Sequence, residues 1–291
     1  MRSRPQPVLA RSFFLLLLLS LSLPAQAFSL FRDHRMETVR FTPKDWPAPL
    51  DADLYLPEDK KKAPYPVLLL IHGGAWHKGD KASMAKAGKV LADRGFAALA
   101  INYRLAPRFR YPAPVEDAQQ ALRWLQKHAT KYRLDTGRVG VWGYSAGAHL
   151  AALLAVQPVT TDVPELRVVI AGSAPTDLRQ STQASVRAFL GADASAQPAL
   201  YEDASPLARV HPGLPPFLLY YGSADTLVAP SQSENFARAL KEAGVTVKVI
   251  RIEGADHRSA AQGVRQHLDE VLGYIGQQMS PAARRRAAAT P

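Results

Sequence analysis

The stretch Arg138-Val139-Gly140-Val141-Trp142-Gly143-Tyr144-Ser145-Ala146-Gly147-Ala148-His149-Leu150 compresses a strand, a sharp turn and a helix into consecutive residues. Val139, Val141 and Trp142 supply a short buried strand. Residues 146–154 form an Ala/Leu-rich run of high helix propensity. Between them stands Gly143-Tyr144-Ser145-Ala146-Gly147. For the Ser145 hydroxyl to stand clear of a sheet edge, the chain must reverse within one residue, which puts Ser145 into a strained backbone conformation. Gly143 and Gly147 lack the Cβ atoms that would collide where strand and helix cross. A glycine-flanked turn that merely contains serine is the bland alternative. The strand before it and the helix after it weigh for a nucleophile.

The rest of the chain supplies the sheet for this elbow. Val67-Leu68-Leu69-Leu70-Ile71 is a continuous apolar run, the signature of a strand covered on both faces and hence of a parallel sheet. It ends in His72-Gly73-Gly74-Ala75-Trp76, where a glycine pair leaves backbone N–H groups free to point at a ligand. Further strands are expected at 97–101, 168–171 and 217–221, with an edge strand at 245–249, where Val245, Val247 and Val249 alternate with polar residues. Residues 37–41 and 51–56 read as two antiparallel strands at an exposed sheet edge. Helices fall at 84–94, from Pro112 to Ala129, at 232–243 and over Val264 to Ile275. Residues 173–215 break the alternation with Ala, Ser, Asp and Pro, and over forty strandless residues inside a domain mark a lid or binding insertion, placed at about 175–215. Alternating strands and helices predict an α/β fold: a mostly parallel, doubly wound sheet with helices on both faces and ligand sites at the carboxyl ends of its strands.

Composition narrows the chemistry. The chain of 291 residues is 47% hydrophobic and contains no cysteine, so one sizeable core is available but no disulfide, thiol or cysteine metal site. Eight histidines show no zinc spacing, and no metal or cofactor is expected. Net charge is +11, much of it in Lys60-Lys61-Lys62 and Arg284-Arg285-Arg286, without interleaved aromatics; these read as solvated charge, with no nucleic-acid partner. Arg2, Arg4 and Arg11 precede the apolar run 13–23 and the cleavage-like Pro24-Ala25-Gln26-Ala27. Residues 1–27 are therefore expected to be a secretory signal peptide, residues 28–279 the catalytic domain and 280–291 a disordered tail. An uncleaved anchor is the alternative. No transmembrane segment is expected after cleavage, which places the protein in the periplasm or outside the cell.

Serine needs a base, and the base needs a carboxylate that fixes its tautomer. His257, in the loop after the last strand, is the candidate base. Asp225, exposed by a Gly-Ser-Ala turn after a buried strand, is the candidate acid. Asp177 is its structural rival, and Asp256 adjoins His257 too closely to curl back on it. His149, one turn beyond Ser145, reads as a satisfied core or interface histidine. Arg104 reads as half of a structural ion pair with Glu116 or Asp117. Charge on a tetrahedral intermediate would be met by the Ala146 amide at the helix start and by those of Gly74 and Ala75, with Gly73 allowing the turn.

Taken together, His72-Gly73-Gly74-Ala75-Trp76, Asn102-Tyr103-Arg104-Leu105-Ala106-Pro107, Gly143-Tyr144-Ser145-Ala146-Gly147, Asp225 and His257 resemble the α/β-hydrolase superfamily, closest to its hormone-sensitive-lipase-like and kynurenine-formamidase-like carboxylesterases. The resemblance spans about 67–258. It implies an eight-stranded α/β-hydrolase sheet, Ser145 as nucleophile, His257 as base, Asp225 as acid and an oxyanion hole from Gly74, Ala75 and Ala146. Two positions depart from the lipase-like pattern. Ala75 stands where a third glycine is usual, and Arg108-Phe109-Arg110 replace an acidic residue and histidine, which leaves acyl preference open. Trp76 and Tyr144 are expected to wall the acyl pocket. The function expected is hydrolysis of small or short-chain carboxylic esters through an acyl-enzyme, with a small-molecule ester as the partner. An arylformamidase-like amide hydrolase, acyl transfer to an alcohol, and a non-catalytic binding module on the same fold are the alternatives.

Overall fold

In the computed structural model, which describes residues 35–158 and 160–280, eight strands form one sheet. They are β1 (Arg35–Arg40), β2 (Asp51–Leu56), β3 (Tyr65–Ile71), β4 (Ala97–Ile101), β5 (Leu134–Tyr144), β6 (Leu166–Gly172), β7 (Phe217–Gly222) and β8 (Val247–Ile252). Their spatial order is β1-β2-β4-β3-β5-β6-β7-β8. The β1/β2 and β2/β4 pairs are antiparallel, and every pair from β4 to β8 is parallel. The expected signal peptide (1–27), the expected mature start at Phe28 and residues 281–291 of the expected tail (280–291) lie outside the described residues.

The unbroken apolar run of β3 has a direct structural reading. Val67, Leu69 and Ile71 belong to one hydrophobic core, and Leu68 and Leu70 to the other, because successive side chains leave a strand on opposite faces. β4 repeats the division, with Ala97, Leu99 and Ile101 on the first face and Ala98 and Ala100 on the second. All of these residues are 0% exposed. Burying one leucine side chain stabilises by about 1.5–3 kcal/mol, so truncating Leu69 to alanine would cost about 2–5 kcal/mol.

Among the described residues eight α-helices accompany the sheet: α1 (Ala85–Asp93), α2 (Ala113–Tyr132), α3 (Ala146–Val156), α4 (Ala184–Leu190), α5 (Pro198–Asp203), α6 (Pro230–Glu242), α7 (His257–Gly263) and α8 (Leu268–Gln278). Val115, Leu122 and Leu125 of α2, the whole of α3, and Phe236 and Leu240 of α6 pack on the first face. Leu91 of α1 and Val271, Leu272 and Ile275 of α8 pack on the second. Helix α3 is buried over all of its residues, which is why its sequence is apolar all round rather than striped.

Three expectations need correction. Of these two strands only β1 is an exposed edge; β2 lies between β1 and β4 and is buried from Ala52 onward, since its neighbours cover both sides. At the other edge, β8 lies two to three residues later than its valines suggested: Val245 and Val247 lie against the first core, Val249 on the same face is 37% exposed, and Ile250 and Ile252 face the second core. The last helical stretch is two helices joined by a 3-10 turn at Val264–His267, and the first of them begins at His257.

The insertion between β6 and β7 carries α4 and α5 and no strand, as its composition suggested. It is packed rather than detached. Leu178, Phe189 and Tyr201 are each at most 1% exposed and belong to the first core.

Candidate active site

Ser145 sits between β5 and α3 with φ 55° and ψ −123°, a conformation costly for a residue with a side chain. Two close approaches impose it. A Cβ on Gly143 would lie 2.2 Å from the Gly147 carbonyl oxygen, and one on Gly147 would lie 2.1 Å from that of Ile71. Helix and strand can therefore cross only where both residues are glycine. The Ser145 amide donates to the Gly172 carbonyl at 2.7 Å, which ties the turn to β6. Serine at the start of a helix ordinarily caps it through its hydroxyl. Here the hydroxyl makes no cap bond and stands 2.9 Å from His257 Nε2 instead.

His257 is the first residue of α7. Asp256 caps that helix, its side chain accepting the Ser259 amide at 2.7 Å while the Ser259 hydroxyl accepts the Asp256 amide at 2.8 Å. This reciprocal box sets the direction in which the imidazole leaves the backbone. It also occupies Asp256: the Ser259 hydroxyl, and after it the Ser259 amide, donate to its carboxyl and hold it below the usual range. Tyr144 adds a second anchor, its hydroxyl donating to the His257 carbonyl. Asp225 follows β7. Its Oδ2 accepts from His257 Nδ1 at 2.7 Å, and its Oδ1 accepts the Leu227 and Val228 amides at 3.0 and 2.9 Å. The carboxylate is 0% exposed while the imidazole is 17% exposed. The candidate acid is thus buried and satisfied, and the candidate base is reachable. Asp177, the rival acid, is spent on Arg179 in a two-pronged pair at 2.9 and 2.8 Å.

Opposite the elbow, Gly73, Gly74 and Ala75 follow β3. A Cβ on Gly73 would lie 2.9 Å from the Tyr144 carbonyl oxygen, so this loop runs directly against the nucleophile turn. Gly74, Ala75 and Trp76 hold φ of 126°, 51° and 62°. Among the described residues the Gly74 and Ala75 amides donate to no protein acceptor, and the Ala146 amide opens α3. Free N–H groups on two elements flanking a serine hydroxyl are what a developing oxyanion requires. Among the described residues no group of three His, Asp or Glu side chains could hold a metal ion.

The two expected pocket residues are placed differently. Tyr144 lies beside the base, its ring 5.2 Å from that of His257 and 5.9 Å from Tyr220, and burial pushes its hydroxyl up to about 12. Trp76 is only 3% exposed, stacked on Phe189 at 4.6 Å with its indole N–H turned to His149. Arg104 is buried and pairs with both of its expected partners, Asp117 at 2.8 Å and Glu116 at 2.8 Å. Sequence reasoning missed the second anchor of His257 on Tyr144 and the bonding of Trp76. Neither pair is close along the chain, so no local pattern signals them.

Comparison with known proteins follows from this geometry. The family model BD-FAE matches residues 52–240. The esterase LipC of Mycobacterium tuberculosis is 29% identical over 235 residues, covering 73% of this chain and 57% of that protein. An ethyl acetate hydrolase of Pseudomonas putida is 30% identical over 238 residues, covering 75% of this chain and 74% of that one. The structure of a thermophilic esterase from Thermogutta terrifontis superimposes with a TM-score of 0.71 at 27% identity, over 82% of this chain and 92% of the esterase. The chain spans about half the length of several curated relatives it matches, including LipC and LipM.

Proposed function

We propose that this chain, which belongs to the BD-FAE family, is a serine hydrolase that cleaves carboxylic esters of small or short-chain acids through an acyl-enzyme. The observation that carries the reading is the chain of contacts Ser145 Oγ to His257 Nε2 at 2.9 Å and His257 Nδ1 to Asp225 at 2.7 Å. His257 takes the Ser145 proton on Nε2 as Oγ bonds to the ester carbonyl carbon. The carbonyl electron pair moves onto oxygen, facing the Gly74, Ala75 and Ala146 amides. The intermediate collapses, the acyl–oxygen bond breaks, and His257 returns the proton to the leaving alcohol. Water then enters by the same route and frees the acid. Asp225 stays ionised throughout, holding the Nδ1–H tautomer and balancing the imidazolium. Esterase names among the relatives, including the ethyl acetate hydrolase, support an ester substrate with small groups on both sides.

The test is hydrolysis of nitrophenyl esters from acetyl to dodecanoyl, with a formanilide and an anilide alongside, by wild type and Ser145→Ala. Turnover peaked at short esters and lost with Ser145 is the expected result. Preference for the formanilide would move the protein to the amide-hydrolysing alternative, and equal rates in both proteins would refute the nucleophile. The reading extends to export: mass spectrometry of the purified envelope form should find Phe28 as the first residue.

A further inference from the structure

His149 takes no part in the proton transfers above, although it lies on α3 with its amide bonded to the Ser145 carbonyl at 3.0 Å. It is 0% exposed. Trp76 Nε1 lies 3.2 Å from its Nδ1, and the Ala204 carbonyl lies 2.8 Å from its Nε2. An indole N–H only donates and a carbonyl only accepts, so the imidazole is held neutral with its proton on Nε2. Phe189 closes the cluster, edge-on to His149 at 5.7 Å and stacked on Trp76. Three elements converge here: the nucleophile helix, the loop after β3, and the insertion that bears α4 and α5.

The amides read as oxyanion donors are split between two of those elements. Ala146 belongs to α3, and Gly74 and Ala75 to the loop. Donors on separate elements serve one oxygen only if they are held in register, and misplacement by about 1 Å costs on the order of a hundredfold in rate. Positive φ at Ala75 and Trp76 persists only where surroundings impose it. The loop's backbone bonds do not tie it to α3. The Gly74 carbonyl accepts the His77 and Lys78 amides, and the Trp76 carbonyl accepts the Ala106 amide. Among the described residues, the Trp76–His149 bond is the one side-chain hydrogen bond between this loop and α3.

We propose that His149 is a positioning residue: its unprotonated Nδ1 holds Trp76, and through it the Gly74 and Ala75 amides, in register with the Ala146 amide, while its Nε2–H ties the same assembly to the insertion. The proposal rests on the reading of those amides as oxyanion donors. Burial lowers the pKa of His149 to about 4, which keeps the acceptor available. Among the described residues no charged side chain opposes this. Asp203, next to Ala204, is engaged by Tyr111 and Arg209, and His72, at the base of the loop, faces the Gly73 carbonyl and the Tyr103 ring.

The experiment compares wild type, His149→Gln, His149→Phe and Trp76→Phe on a short nitrophenyl ester, with inhibition by phenylboronic acid, whose tetrahedral adduct on serine presents an oxygen to the same donors. All are assayed below their own melting temperatures. Because oxyanion donors act in the transition state, His149→Phe should lower kcat about a hundredfold with KM within about threefold, and the boronate Ki should rise in step. Trp76→Phe should fall by a similar factor, and the double variant should fall no further, since both remove one bond. Glutamine offers an acceptor and a donor at nearly the same places, so His149→Gln should remain within about tenfold of wild type. Wild-type kcat and Ki in Trp76→Phe, or in folded His149→Phe despite a lower melting temperature, would overturn the proposal. So would full additivity, or a glutamine variant no better than phenylalanine. Should His149→Phe not fold, Trp76→Phe and His149→Gln decide between these outcomes alone. Failure of wild type to hydrolyse any ester would instead refute the functional reading itself.

Discussion

His257 and His149 both lie within reach of Ser145, the first across space on α7 and the second four residues along α3. Their surroundings differ in two respects. His257 is partly exposed and has the Asp225 carboxyl on Nδ1, so in the proposed mechanism a proton taken from Ser145 is met by a hydrogen-bonded carboxylate. His149 is 0% exposed and, among the described residues, pairs with no carboxylate; an indole and a backbone carbonyl face its two nitrogens, and a second proton there would set N–H against N–H. Closeness to serine along the chain therefore does not make a histidine a base. A carboxylate and access do.

The strongest way to break the comparison is to remove the base. His257→Ala should lower kcat on a short nitrophenyl ester by about a million-fold, as loss of either member of a serine–histidine pair does. A loss closer to that expected of His149→Phe would mean that the two histidines are not distinct in kind. Asp225→Asn should come next, at about ten-thousand-fold, because an amide in that place favours the wrong tautomer. Circular dichroism should show an unchanged fold, since asparagine keeps an acceptor for the Leu227 and Val228 amides.

A third measurement sharpens the contrast through pH. His149 binds its second proton near pH 4 in the folded chain against an ordinary value of 6.5. Across that window the unfolded state holds more protons, so stability falls as the pH drops from 6.5 towards 4. The contribution is up to about 3 kcal/mol. Buried His72, whose pKa burial also lowers, acts in the same direction. Denaturant midpoints followed over this range should fall steeply for wild type and less steeply for His149→Gln; equal slopes would assign the effect to other groups. The smallest effect should be that of Tyr144→Phe. It leaves the His257 carbonyl without its side-chain donor, worth about 1 kcal/mol, and should lower kcat less than about tenfold while leaving the ester chain-length profile unchanged. A changed profile would return Tyr144 to the acyl pocket.

Much of this was legible along the chain, for reasons that also mark where legibility stops. The interior strands announce themselves because both faces of β3 and β4 are covered, which removes polar residues from them altogether. The elbow is legible because close crossing demands glycine at two fixed places. The edge strand β8 was placed too early, because Val245, Val247 and Val249 mark one face only, while Ile250 and Ile252 on the other face carry the strand further and are interrupted by the exposed Arg251. The roles of His149, Trp76 and Tyr144 were not legible because their partners stand 55, 73 and 113 residues away. Such contacts exist only after the sheet has set the distances.

Every residue of helix α3 is buried, with Leu154 and Ala155 still 8% exposed, and its first amide faces the place where charge would develop. Dissolved ions have little access to its flanks, so its aligned peptide dipoles act on that place with little screening. A neutral ester should therefore be turned over at much the same rate in dilute buffer as in concentrated salt, even though the chain carries a net charge of +11.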